Sequence, residues 1–124
     1  MTLPQLSPSE WPVMNAVWEH APIRAKAVHQ LLQEQGHPHD VDSVKTYLAR
    51  MMKKGAVGTE REGKAYLYSP LVDREAMVAE EMQRCWKKVP PVMRAKVVKQ
   101  VCEMADDIPK EDIRDIITAF QARV

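Results

Sequence analysis

The sequence predicts a mainly α fold in which one small β-hairpin separates three helices from three more. Three observations carry this prediction. Six stretches repeat apolar residues at helical spacing. One stretch, AVGTEREGKAYLYSP at 56 to 70, instead places Tyr66 and Tyr68 at period two behind a turn containing Gly63, the signal of a hairpin. Finally, Gly36, Gly55 and the pair Pro90 and Pro91 fall where periodic stretches stop.

Ser7 with Glu10 forms a capping-box pattern with Pro8 at the first helical position, and Trp11, Met14 and Trp18 then mark one apolar face. Pro12, five residues past a Ser7 cap, would remove an intrahelical donor and crowd Pro8, so a start near Ser9 stays open beside the Ser7 start. The second helix, about 25 to 35, presents Val28, Leu31 and Leu32 before Gly36 ends it. GHPHDVD is then a turn, with Asp40 or Asp42 as N-cap of the third helix.

In that third helix Val44, Leu48 and Met51 share one arc, flanked by Tyr47 and Met52, while Ser43, Thr46, Arg50 and Lys53 share the other. One arc can seal a core; the other offers hydroxyls and long cations to a DNA groove. Gly55 suits the cap after Lys53 and Lys54. The hairpin that follows carries Arg61 and Lys64 at its tip, diluted by Glu60 and Glu62. A cationic helix followed at once by a hairpin with a charged tip is how a winged helix-turn-helix grips DNA, the hairpin being the wing.

Beyond Pro70 three helical patterns are expected. The first, about 73 to 88, carries Met77 or Val78, Met82, Cys85 and Trp86 on broadly one side. A second, about 91 to 104, has Val97, Val98, Val101 and Cys102, and a third has Ile113, Ile116, Ile117 and Phe120 at i, i+3, i+4, i+7. Three short helices make a thin core, so their apolar stripes are expected to be finished by a second chain. This predicts a winged-helix DNA-binding domain over residues 1–70 and a C-terminal helical dimerisation region over 71–124.

The 124 residues leave room for one domain plus a small appendage, and the net charge of +1 excludes a polycation. Positive charge is local: residues 43 to 64 hold Lys45, Arg50, Lys53, Lys54, Arg61 and Lys64 against Glu60 and Glu62, while beyond residue 70 ten Lys or Arg balance ten Asp or Glu. No apolar run approaches membrane-spanning length, and the amino terminus lacks a basic segment followed by an apolar one, so no membrane association and a cytoplasmic location are expected. Cys85 and Cys102 lack zinc-site spacing and are expected to be buried thiols in helices. His37 and His39 around Pro38 read as a turn, not a metal site. The histidines lack a partnered nucleophile and no glycine-rich phosphate loop is present, so neither an enzyme nor a cofactor is expected.

LSPSEWPVMNAVW (6 to 18), SVKTYLARMMKKGAV (43 to 57) and EREGKAYLYSP (60 to 70) resemble, in order and at the right spacing, the penicillinase repressor (BlaI/MecI) family of bacterial winged-helix transcriptional repressors. Beyond residue 70 the likeness lies in architecture and length. The resemblance implies a homodimer whose carboxy-terminal helices interlock and whose winged helices occupy successive major grooves of a double-stranded DNA operator. It implies base reading and nearby phosphate contacts by Ser43, Lys45, Thr46 and Arg50: Arg50 for guanine, Thr46 for a thymine methyl or a hydroxyl contact, Lys45 and Lys53 for phosphates. Arg61 and Lys64 would meet phosphate or the minor groove. Tyr47 is expected to pack.

Two departures stand out. Where relatives often begin the second helix with Ser/Thr-x-x-Glu, this chain reads Arg24, Ala25, Lys26, Ala27, losing the cap and gaining two cations, Arg24 and Lys26, expected to add phosphate contact. The Asn-Phe bond cleaved in antibiotic-responsive members is not preserved near Gln100, Val101 and Cys102, and the Cys-x-Cys motifs of copper-responsive members are missing. An upstream sensor or protease therefore stays open as a partner.

The resulting expectation is a dimeric, sequence-specific transcriptional repressor on a pseudo-palindromic operator, with dimerisation through Val78, Met82, Trp86, Val97, Val98, Val101, Ile113, Ile116, Ile117 and Phe120. Two alternatives are a redox- or metal-responsive winged-helix regulator using Cys85 and Cys102, and a winged-helix protein-interaction module that binds no DNA.

Overall fold

The computed structural model describes residues 2–124. The elements run α1 (Glu10–His20), α2 (Ala25–Glu34), α3 (Val41–Lys53), β1 (Val57–Glu62), β2 (Ala65–Pro70), α4 (Arg74–Lys88), α5 (Arg94–Met104) and α6 (Lys110–Gln121), with a single 3-10 turn at Pro91–Met93 leading into α5. This is the expected mainly α, winged helix-turn-helix fold, and the chain separates into two compact units, Met1–Arg84 and Cys85–Val124.

The first unit is built on a contiguous apolar core. Val13, Met14 and Val17 of α1, Val28 and Leu32 of α2, and Val44, Leu48 and Met51 of α3 are fully buried together with Val57 of β1. The helical periodicity of the sequence therefore marks the faces that pack. α1 begins at Glu10 with Ser9 before it, so Pro12 sits in the first turn, where its missing N–H costs no hydrogen bond. Only half of the Ser7–Glu10 capping box forms: the Glu10 carboxylate accepts from the Ser7 backbone N–H at 2.7 Å. Trp11 and Trp18 are half-buried, their rings tilted at 47° with centroids 6.1 Å apart, and Trp18 Nε1 donates to the Val72 carbonyl.

α2 and α3 both end in a glycine at positive φ, Gly36 (+84°) and Gly55 (+81°), with the paired hydrogen bonds that turn a chain out of a helix: His37 N–H to Leu32 O and Ala56 N–H to Met51 O. A side chain at either glycine would be strained, so these ends are specified by residue type.

β1 and β2 pair antiparallel from Val57↔Pro70 to Glu62↔Ala65 around Gly63 and Lys64. A contact not expected from the sequence adds a third edge: Ile23, between α1 and α2, exchanges backbone hydrogen bonds with Tyr68, at 3.1 and 2.7 Å. It ties the wing to the start of α2. The compact unit continues past residue 70 because Met77 is buried in the core and Arg74 bonds Glu19 at 3.0 Å.

In Cys85–Val124 no residue is buried. Val97 and Val98 are half-buried, while Trp86, Val101, Ile113, Ile116, Ile117 and Phe120 are exposed, Phe120 by 52%. Cys85 and Cys102 lie in helices as expected, but both thiols are exposed, correcting the expectation that they are buried. The reason is local: single-layer helices supply nothing to cover these positions within one chain.

Candidate nucleic-acid interface

α3 starts where the Asp40 carboxylate accepts from the Ser43 N–H at 2.8 Å, which decides the cap in favour of Asp40 over Asp42. That hydrogen bond holds the Asp40 carboxyl below its usual range. With Val44, Leu48 and Met51 sealed into the core, the helical period forces Lys45, Thr46, Arg50 and Lys53 to solvent and leaves Ser43 partly exposed. Thr46 Oγ1 donates to the Asp42 carbonyl at 3.0 Å, so its methyl is the free part of the side chain. Tyr47 packs against the core and meets His39 edge-on at 5.3 Å.

Two concavities are lined in part by residues of α3. One, of about 350 Å³, is lined by Ser43, Thr46 and Arg50 together with Asp40, Asp42 and Tyr47. The other, of about 530 Å³, gathers cations from three elements: Arg24 and Lys26 at the start of α2, Lys45 of α3 and Lys64 of the wing, over a floor including Tyr66 and Tyr68. Tyr68 is half-buried, and burial, with Tyr66 beside it, pushes its hydroxyl pKa up. Ile23–Tyr68 pairing and the uncapped Arg24 turn bring the two cations of α2 to the wing.

Lys53 and Arg61 line neither concavity. Arg61 lies opposite Tyr66 in the hairpin register, its guanidinium 5.5 Å from the ring centre. Among the described residues, Arg24, Lys26, Lys45, Arg50, Lys53, Arg61 and Lys64 take part in no salt bridge, whereas Lys54 turns inward to Glu10. Unpaired, exposed cations across helix, helix and wing form a surface suited to a polyanion. Sequence reasoning missed Tyr66 as a partner of Arg61; counting the hairpin register outward from Gly63 would have found it. Among the described residues no cluster of three or more His, Cys, Asp or Glu could hold a metal ion, and no helix is long and apolar enough to cross a membrane.

The penicillinase repressor family model matches residues 6–122. The chain belongs to the penicillinase repressor family. Among its relatives, the penicillinase repressor of Bacillus licheniformis is 32% identical over 71 residues, covering 57% of this chain and 55% of that protein. An uncharacterized 16.5 kDa protein of Latilactobacillus sakei is 35% identical over 74 residues, covering 59% of this chain and 50% of that one. The matches thus span about half the length of these relatives. The DNA-binding domain of the repressor BlaI, solved in solution, superposes with a TM-score of 0.52 at 32% identity, covering 59% of this chain and 88% of that domain. The monomeric form of Bacillus licheniformis BlaI in complex with the blaP half-operator superposes with a TM-score of 0.51 at 31% identity, covering 60% and 89%. In this penicillinase repressor family member the cationic concavity lies among α2, α3 and the wing.

Proposed function

We propose that this chain is a sequence-specific DNA-binding transcriptional repressor acting as a homodimer on a pseudo-palindromic operator. The observation that carries the proposal is the set of unpaired cations gathered by α2, α3 and the wing around one groove: Arg24, Lys26, Lys45 and Lys64. Likeness to a winged helix solved on a half-operator supports DNA as the polyanion.

α3 enters the major groove with Ser43, Thr46 and Arg50 toward base edges, Arg50 reaching guanine O6 and N7 and the Thr46 methyl meeting a thymine. Lys45 and Lys53 meet phosphates, Arg61 and Lys64 meet phosphate or the minor groove, and Arg24 and Lys26 extend the phosphate track along the start of α2. Phosphate contacts set the register; base contacts choose the site.

Dimerisation is supported by the apolar side chains left uncovered in one chain. Val78, Met82, Trp86, Val101, Ile113, Ile116, Ile117 and Phe120 are exposed and Val97 and Val98 only half-buried, more apolar surface than a short helical segment leaves open in water. Residues 1–70 then read DNA and residues 71–124 pair the chains, with the start of α4 also packing on the winged helix through Met77. Bound at a promoter in the cytoplasm, such a dimer blocks polymerase sterically. Selection from random duplexes tests this: two inverted half-sites about 34 to 36 Å apart are expected, and an unenriched pool or a single unrepeated site would overturn the proposal.

The exposure of Cys85 and Cys102 favours one second reading, a redox- or metal-responsive regulator. Under it, oxidant or metal weakens operator binding and Cys102→Ser abolishes the response.

A further inference from the structure

Glu10 is the one charged residue that is buried among those described, with 1% of its surface exposed. Its Oε1 accepts from the Ser7 N–H at 2.7 Å and from Lys54 Nζ at 2.5 Å, and Lys54 Nζ also donates to the Gln5 carbonyl at 3.0 Å. Burial pushes the Glu10 carboxyl up, but Lys54 and Ser7 outweigh it and hold it below its usual range.

Lys54 occupies the joint between α3 and the wing. It caps α3, Gly55 follows at φ +81°, and the buried Ala56 then bonds through its N–H to Met51 and through its carbonyl to the Leu71 N–H. Ala56 and Val57 anchor the joint by apolar burial, which is non-directional and tolerates small slips. A buried carboxylate with one cationic partner does not, because any slip that parts them strands a charge away from water.

We propose that Glu10 is a positioning residue for DNA reading: by holding Lys54 against the start of α1 it fixes the joint between recognition helix and wing, and it withdraws Lys54 from the phosphate-facing cations. This rests on the DNA-binding proposal above. The groove of Arg24, Lys26, Lys45 and Lys64 draws on α2, α3 and the wing, so its shape depends on how α3 meets the hairpin.

The test uses the full chain as Glu10→Gln, Lys54→Met and the double variant. Operator and non-specific duplex binding are measured as salt is varied, and amide exchange is followed at Ala56 and Leu71 against α2. Operator affinity is expected to fall about tenfold in each variant, non-specific affinity to change by less than about twofold, and the double to be no worse than the weaker single. The salt slope stays unchanged in Lys54→Met and in the double variant, because Lys54 meets no phosphate. Exchange at Ala56 and Leu71 rises while α2 amides hold. Lys54→Met strands the Glu10 charge and is the variant at risk of unfolding; the double variant, with neither charge, then carries the test. A folded double with native exchange at Ala56 and native operator affinity overturns the proposal, as does a Lys54→Met slope lowered by about 0.9. A wild-type chain that selects no duplex overturns the positioning role along with the DNA proposal, and differs from a failed joint in that Ala56 exchange still rises in the double.

Discussion

The Asp40 carboxylate accepts the Ser43 backbone N–H at 2.8 Å and so fixes the turn of α3 from which the proposed base-reading residues project. Asp40→Ala leaves that N–H uncapped and frays the segment carrying Ser43 and Thr46. The thermal midpoint is expected to drop by a few degrees and operator affinity several-fold, while Asp40→Asn, an equally good cap, retains both. Equal losses in the Asn and Ala variants would show that charge matters here and capping does not.

The Glu10–Lys54 pair contributes stability of its own. Lys54→Met leaves a buried carboxylate without its cation, and since the Lys54 side chain is 36% exposed the loss is expected near 2 kcal/mol, below the range for a fully buried pair. Adding Glu10→Gln to Lys54→Met removes the stranded charge and restores part of it. Urea unfolding of the singles and the double measures this directly.

Acid should act through the same carboxylate. Because the folded-state pKa of Glu10 lies below its ordinary value, its contribution is complete above the ordinary carboxylate range and is lost as pH falls through the folded value. Below about pH 4.3 the wild type is therefore expected to lose thermal stability more steeply than Glu10→Gln. Parallel melting profiles for the two proteins between about pH 5 and pH 3 would contradict this.

Exposed apolar residues of α6 make the dimer proposal testable. Phe120→Asp places a charge in the proposed interface and is expected to give a monomer by sedimentation, with affinity for a full operator reduced at least about tenfold and half-site affinity nearly unchanged. An unchanged dimer would remove α6 from the interface.

How much of this was legible in the residues follows from their range of interaction. Helical periodicity fixed the buried arc Val44, Leu48 and Met51 and hence the exposed arc of α3, and Gly36, Gly55 and Gly63 marked real turns, because these are local properties. Long-range partners were not legible. Glu10 reads as half of a capping box, and nothing within a few residues of it names Lys54, 44 positions away. Ile23 reads as loop, because its strand partner Tyr68 lies across the fold. The gathering of Arg24 and Lys26 with Lys45 and Lys64 likewise needs the whole winged helix. Cys85 and Cys102 were expected inside because thiols usually are, yet the burial of a helix face depends on what covers it, and one chain does not cover theirs.

The most direct test of the central claim is the salt dependence of binding to a selected duplex, wild type against Lys45→Ala. A DNA reader with this cationic groove is expected to lose affinity steeply as salt rises, and removing one phosphate contact lowers the log–log slope by about 0.9. A shallow wild-type slope, or one that Lys45→Ala leaves unchanged, would contradict the assignment of this surface to the phosphate backbone.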